Sequence, residues 1–233
     1  MNKPLMQKAY GHIAHLPGSR MGSGDHKISD GQSNICQFKT RDKHDRIIVQ
    51  EKLDGSNCSV ARDAEGRIWA LTRSGNNCYD SKFVQHHAFA QWVQENMGRF
   101  AFLKENERLV GEWLHTAHGT RYDLPHEPFV AFDLMQLPHK RLPFDIFRER
   151  ASEFVHPRLI HDGEPFSIEQ ALEAIKVSGH GAWDPVEGAV WRVERKGAVD
   201  FLAKYVRPEK QDGIFLDAEQ PILNTWPHAN AIL

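Results

Sequence analysis

Cysteine is scarce in this chain of 233 residues: Cys36, Cys58 and Cys78 are odd in number and form no CxxC pair. A disulfide framework or a cysteine zinc site is therefore not expected. Long apolar runs are missing too. Nothing approaches the roughly 20 residues that a membrane span needs, and the start, MNKPLMQKAYGH, lacks the apolar stretch of a secretory signal. The cytoplasm is the expected compartment, with no membrane partner. Nor does one charge dominate, since 29 Lys and Arg stand against 31 Asp and Glu for a formal net of -2. A protein that grips polyanions through non-specific phosphate contacts is usually basic, so any such grip here has to come from a local patch. Repeats, low-complexity tracts and long charge blocks are also absent, which leaves one compact unit as the simplest organisation.

What is present changes texture along the chain. Residues 1–45, with HLPGSRMGSGDHKISDGQ at their centre, are rich in Gly, Ser and charge and read as a loop-rich amino-terminal extension. From Arg46 onward come short β-branched or aromatic runs bounded by turn residues: RIIVQEKL as a strand, then NCSVAR and RIWALTR as a hairpin. SKFVQHHAFAQWVQENMG predicts an amphipathic helix with Ser81 as N-cap, a stripe through Phe83, Val84, His87, Phe89, Ala90 and Val93, and Gly98 at its end. ERLVGEWL and PFVAFDLM predict strands and LPFDIFRERASEF a helix. SIEQALEAIK predicts another helix, with Ser167 and Gln170 as a capping box. VEGAVWRVE and AVDFLAKYVR predict two closing strands. Without strict βαβ alternation, the mixture predicts an α+β fold with largely antiparallel sheets flanked by helices.

The stretch richest in chemistry is Gln50 to Asn57, QEKLDGSN, which puts Lys52 at the end of an apolar strand just before a glycine turn. Partial desolvation there would lower the ammonium's pKa, and a neutral amine is a nucleophile. A surface lysine at a hairpin end is the alternative. Glu187 alternates with Ala189, Trp191 and Val193, an apolar face where a lone carboxylate is costly and should meet a cation. HxxH at His115 and His118, and the pair His86-His87, offer no third metal ligand nearby, and GSRMGSGDHK lacks the features of a P-loop or dinucleotide fingerprint.

Five segments in order, EKLDGSN (51–57), LVGEW (109–113), FVAFD (129–133), VEGAV (186–190) and LAKY (202–205), resemble the motifs of covalent nucleotidyltransferases. The wording is most similar to the ATP-dependent RNA ligase family, of the type of the second RNA ligase of phage T4. The resemblance spans about residues 46–207. It implies a nucleotidyltransferase fold, an ATP-grasp-like ligase adenylation domain over 46–233, with a minimal tail from about 208 and no OB-fold. It implies ATP as co-substrate and Mg²⁺ (or Mn²⁺) as metal, with Lys52 attacking the α-phosphate to form a lysyl-AMP. It also implies Glu112 on a ribose hydroxyl, Phe132 on the adenine face, Glu187 on the metal and Lys204 on the α-phosphate. Glu51, Asp54, Gly55 and Arg73 complete the implied ATP site. Asn57 and Arg73, with Arg20 and Arg207, would handle the polynucleotide.

The resemblance therefore implies an RNA ligase joining 5′-phosphate and 3′-hydroxyl ends, acting on RNA or DNA as a monomer. A GTP-dependent capping-type guanylyltransferase and a lapsed nucleotide-binding RNA-repair scaffold are the alternatives. In two places the sequence departs from the pattern. Val206 stands where the last motif has its second basic residue, so Arg207 can serve only if a bulge brings it round. Only 26 residues follow Arg207, so either this is a minimal ligase, or RNA binding is expected to fall to residues 1–45, with Leu16 to Arg20 as a candidate anion loop, or to another RNA-repair protein.

Overall fold

The structure, a computed structural model, describes residues 3–216 and 221–227; the parts of the tail at 217–220 and 228–233 lie outside the described residues. One five-stranded sheet is built from β1 (Ala14–His15), β2 (Asp45–Lys52), β8 (Leu159–Gly163), β9 (Gly188–Arg195) and β10 (Ala198–Val206), in the order β1-β10-β9-β2-β8. The other holds β3 (Ser56–Arg62), β4 (Ile68–Thr72), β5 (Glu107–Trp113), β6 (Phe129–Gln136) and β7 (Lys140–Arg141), in the order β4-β3-β5-β6-β7. All pairings within the sheets are antiparallel except β1 with β10. Four helices flank the sheets: α1 (Asp30–Gln37), α2 (Val84–Glu95), α3 (Phe144–Arg150) and α4 (Ile168–Ala174). This is the expected α+β architecture.

Strand alternation sorts the first sheet into two chemically distinct faces. Ile47 and Val49 of β2, Ala189, Trp191 and Val193 of β9, and Ala203 and Tyr205 of β10 point outward and pack with residues of α1 and α4. The intervening residues, Gln50 and Lys52, Val190 and Arg192, Leu202 and Lys204, line a cleft between the sheets. On the second sheet, Phe89 and Trp92 of α2 pack with Trp113 and Phe129, ring centroids 5.2 to 5.6 Å apart, and seal the face away from the cleft.

Several local expectations are corrected. Residues 1–45 are not all loop. Ser29 and Gln32 form a capping box that starts α1, and Ile35 and Cys36 join the core beneath the first sheet. The N-cap of α2 is Phe83, not Ser81, because the Ser81 hydroxyl is engaged with His86 Nδ1 at 2.6 Å and accepts from the Phe83 N–H. Phe83 and Val84 consequently stay exposed, at 51% and 70%, and the buried stripe begins at Phe89. Gly98 falls inside a short 3₁₀ turn rather than closing the helix. The capping box at Ser167 and Gln170 forms as expected. Among the described residues, no helix is long and apolar enough to cross a membrane.

Candidate active site

β2 ends at Lys52 and β3 begins at Ser56, so the chain passes from one sheet to the other through Leu53, Asp54 and Gly55. Gly55 is obligatory: a Cβ there would lie 2.7 Å from the Trp113 carbonyl and 2.9 Å from Leu114. Its N–H donates to Glu112 Oε1 at 3.1 Å, so the turn itself aims the β5 carboxylate. A register shift in the β5–β6 pairing leaves Phe132 unpaired between Ala131 and Asp133. Such a bulge re-aims a side chain, and Phe132 lines the cleft with its ring edge-to-face against Tyr10 at 5.4 Å.

Lys52 Nζ donates to Glu187 Oε2 at 2.6 Å, with the lysine side chain 22% exposed and the glutamate 8%. Burial alone would pull the ammonium's pKa down. The carboxylates of Glu187, Glu112 and Asp54 outweigh it and hold Lys52 above the ordinary lysine range. The expected lowering of the ammonium's pKa is thus corrected: the neighbouring carboxylates favour the charged form of Lys52. Burial pushes the Glu112 carboxyl up to about 7, against the pull of Lys52. Burial also raises Glu187, again opposed by Lys52. Lys204 is lowered by burial and then by the charge of Lys52.

Glu187 reaches this position for a reason alternation does not give. β9 begins at Gly188, so Glu187 lies just before the strand and turns toward Lys52 instead of following Ala189 and Trp191 to the outer face. Glu51 does obey alternation, and its carboxylate leaves the cleft to accept from the Ser178 hydroxyl at 2.7 Å and the Gly179 N–H at 2.8 Å. Asn57 and Arg73 both line the cleft. Asn57 Oδ1 is buried with no partner, and Arg73 donates to the Gly11 carbonyl at 3.1 Å.

Two predicted contacts do not converge. Arg207 follows the last residue of β10, and the only irregularity of that pairing lies between Val199 and Phe201, so no bulge rotates it inward. Its guanidinium donates to the carbonyls of Val186 at 2.5 Å and Pro185 at 3.0 Å. Arg20 pairs with Asp212 at 2.5 Å and is not among the cleft residues. In the Leu16 to Arg20 loop the Ser19 hydroxyl accepts from the Val206 N–H.

Sequence reasoning missed two groups. Lys210 is buried, and its Nζ lies 2.6 Å from Asp54 Oδ2 and 2.5 Å from the Thr120 hydroxyl. Asp54 also accepts from the Gly119 N–H at 2.8 Å. No motif surrounds Lys210, so local sequence offers no signal for it. The other group is the segment from Lys8 to Ile13, which crosses the cleft mouth. The N–H groups of Ala9 and Tyr10 both lie on the Arg73 carbonyl, and Gly75, at φ +84°, permits a contact with Gln7 that a Cβ would block at 2.0 Å.

The RNA ligase family model matches residues 45–206, more than half of the chain. The chain belongs to the RNA ligase family. No curated protein matches it. Among solved structures, an RNA ligase of Naegleria gruberi in a complex with ATP and Mn is 17% identical, with a TM-score of 0.52 over 86% of this chain and 61% of that one. An archaeal ATP-dependent RNA ligase is 22% identical, with a TM-score of 0.45 over 70% of this chain and 43% of that one. A putative ATP-dependent DNA ligase from Aquifex aeolicus is 17% identical, with a TM-score of 0.48 over 84% and 49%. The Naegleria likeness shows the nucleotidyltransferase fold. This RNA ligase family member spans 43 to 61% of the length of these structures.

Proposed function

We propose that this protein is an ATP-dependent RNA ligase that joins 5′-phosphate and 3′-hydroxyl ends through a covalent AMP on Lys52. The observation that carries the reading is the placement of Lys52 Nζ, 2.6 Å from Glu187, in a cleft also lined by Glu112, Phe132 and Lys204. Adenine has an apolar wall in Phe132 and Val190, and a ribose hydroxyl has an acceptor in Glu112. Lys204 supplies a cation at the phosphates. In the first step the Lys52 amine bonds to the α-phosphorus, the α–β bridging bond breaks, and pyrophosphate leaves with the electron pair. The ammonium must first lose a proton, and Glu187 Oε2 is its nearest carboxylate oxygen. The AMP then passes to a 5′-phosphate, for which Asn57 and Arg73, both lining the cleft, would supply contacts. A 3′-hydroxyl displaces AMP last.

The Naegleria protein was solved with ATP and Mn, which supports nucleotide and divalent-metal use here. The residues fit Mg²⁺ or Mn²⁺ in a limited way. Glu187, Glu112 and Asp54 all face Lys52, yet among the described residues no three His, Cys, Asp or Glu form a ready cage. Mg²⁺ commonly takes one or two carboxylates and completes its shell with phosphate oxygens and water. Glu187 would hold it, and the ion would offset phosphate charge. On this reading the protein works in the cytoplasm as a monomer, with RNA rather than DNA as substrate.

The deciding experiment is incubation with Mg²⁺ and α-labelled ATP or GTP, followed by denaturation. Label from ATP that Lys52→Ala abolishes is the expected outcome. Label from GTP alone would mean a capping-type enzyme, and none from either a scaffold. Sealing assays on nicked RNA, DNA and hybrid duplexes then fix the substrate, with RNA expected to seal best.

A further inference from the structure

The segment Lys8 to Ile13 brings two bases to the cleft mouth, Lys8 and His12, which face Arg73 from β4's end and Lys204 from β10. His12 senses Arg73, Lys8 and Lys204 together, and Lys204 senses Arg73 and, deeper in, Lys52. Lys52, Lys204, Arg73 and Lys8 thus bring four cations to one cleft, and His12, which Arg73 holds below the ordinary imidazole range, adds a hydrogen-bonding base beside them. One carboxylate answers the outer group. Asp25 approaches His12 at 3.8 Å and Lys204 at 3.7 Å, beyond hydrogen-bond reach of either, while its other oxygen lies 3.0 Å from His15. Lys8 has no ion pair among the described residues. Glu187, Glu112 and Asp54 are engaged beside Lys52, so the four outer bases meet only the loosely placed Asp25, which leaves room for an anion of more than one charge.

In-line attack decides which part of a nucleotide lies there. The attacking amine and the leaving oxygen stand on opposite sides of the α-phosphorus, so the leaving group departs away from Lys52. That is the direction of the outer bases. Resting on the ligase reading above, we propose that Lys8 and His12, with Arg73 and Lys204, bind the β- and γ-phosphates of ATP and hold the departing pyrophosphate. The segment outside the family-matched residues therefore supplies part of the triphosphate site. The shared chemistry is a phosphate anion opposite Lys52, and the 5′-phosphate of RNA, which attacks from the same side in the second step, is the competing occupant.

Both side chains are exposed, so Lys8→Ala/His12→Ala leaves the core untouched. Two arms separate the occupants. Titration calorimetry with inorganic pyrophosphate and with AMP, both with Mg²⁺, should show pyrophosphate affinity reduced by about tenfold or more in the double variant, and AMP affinity unchanged, as expected for lost charge-assisted contacts. In covalent labelling, the KM for ATP should rise by a similar factor of about ten, with kcat little changed, and Lys8→Arg should restore it. Unchanged pyrophosphate affinity and KM in the double variant would overturn the proposal. So would normal labelling with a loss confined to transfer of AMP onto 5′-phosphorylated RNA, which would give the site to the RNA end. If the unmodified protein takes no label from ATP, the ligase reading fails, and the pyrophosphate titration still judges these four bases.

Discussion

Two lysine–carboxylate pairs flank the same turn, each with Nζ 2.6 Å from its oxygen, and they differ in what else surrounds them. On the cleft side, Lys52 is 22% exposed and opposes Glu187, with Glu112 and Asp54 also within electrostatic reach. On the sealed side, Lys210 is 3% exposed, with its ammonium shared between Asp54 and the Thr120 hydroxyl. Gly119 closes that side so tightly that a Cβ would sit 2.2 Å from the Gln211 carbonyl. The open pair is reachable from the cleft, whereas Lys210 of the sealed pair is not among the residues that line it. Lys210 also draws Asp54 below the usual carboxylate range, against the effect of burial, so the acid two residues after Lys52 is already committed. On the proposed function, the open pair is the one that would be broken in the reaction, and the sealed pair would hold the turn meanwhile.

Breaking the sealed pair should have the largest effect. Lys210→Met leaves Asp54 buried without its cation and should cost about 3–5 kcal/mol in urea unfolding, while Lys52→Met, beside carboxyls that can take up a proton, should cost under about 2 kcal/mol. Equal losses would end the distinction between them. Adding Asp54→Asn to Lys210→Met should recover most of the stability, because it removes the orphaned charge. Recovery of less than half would mean that Lys210 acts through packing or Thr120 instead.

The difference between the pairs also marks how far the sequence could be read. Most residues of the cleft side outside the Lys8 to Ile13 segment lie on a strand or beside a glycine turn visible in the chain, His86 of α2 and Pro157 being exceptions, which is why β2, β9 and β10 were legible. Glu187 was legible by its motif, though not by alternation, since it lies one residue outside its strand. Lys210 and the Lys8 to Ile13 segment were not legible. Both lie in irregular chain, where position is set by long-range contacts such as those of Ala9 with the Arg73 carbonyl and with Arg108. The charge of Lys52 was misread for a related reason: local sequence reports how dry a lysine is, but not how many carboxylates distant strands bring to it.

The third test concerns the acid at the open end. Glu112 stays protonated up to about pH 7 when folded, whereas its unfolded counterpart ionises near the ordinary carboxylate value. Between those two points the folded state binds more protons, so its stability falls as pH rises through the window, and the penalty persists above it. Glu112→Gln should remove that penalty, raising stability at pH 8 on the order of 2 kcal/mol while weakening nucleotide binding. Stability unchanged at pH 8 in the variant would mean that Lys52 already neutralises the buried carboxylate.

The smallest effect sharpens which base beyond β10 belongs to the turn. Arg207 donates to two carbonyls, of Pro185 and Val186, and so braces the backbone leading into Glu187 without entering the cleft. Arg207→Ala should lose about 1–2 kcal/mol from those charge-assisted bonds, measurable as a small shift in the unfolding midpoint. The label taken from ATP should stay near the unmodified level, because Arg207 is not among the residues that line the cleft. A large loss of label, with the fold intact, would show that the brace sets the reach of Glu187 to Lys52. In that case the open pair would depend on the chain beyond its strand as much as the sealed pair depends on Lys210.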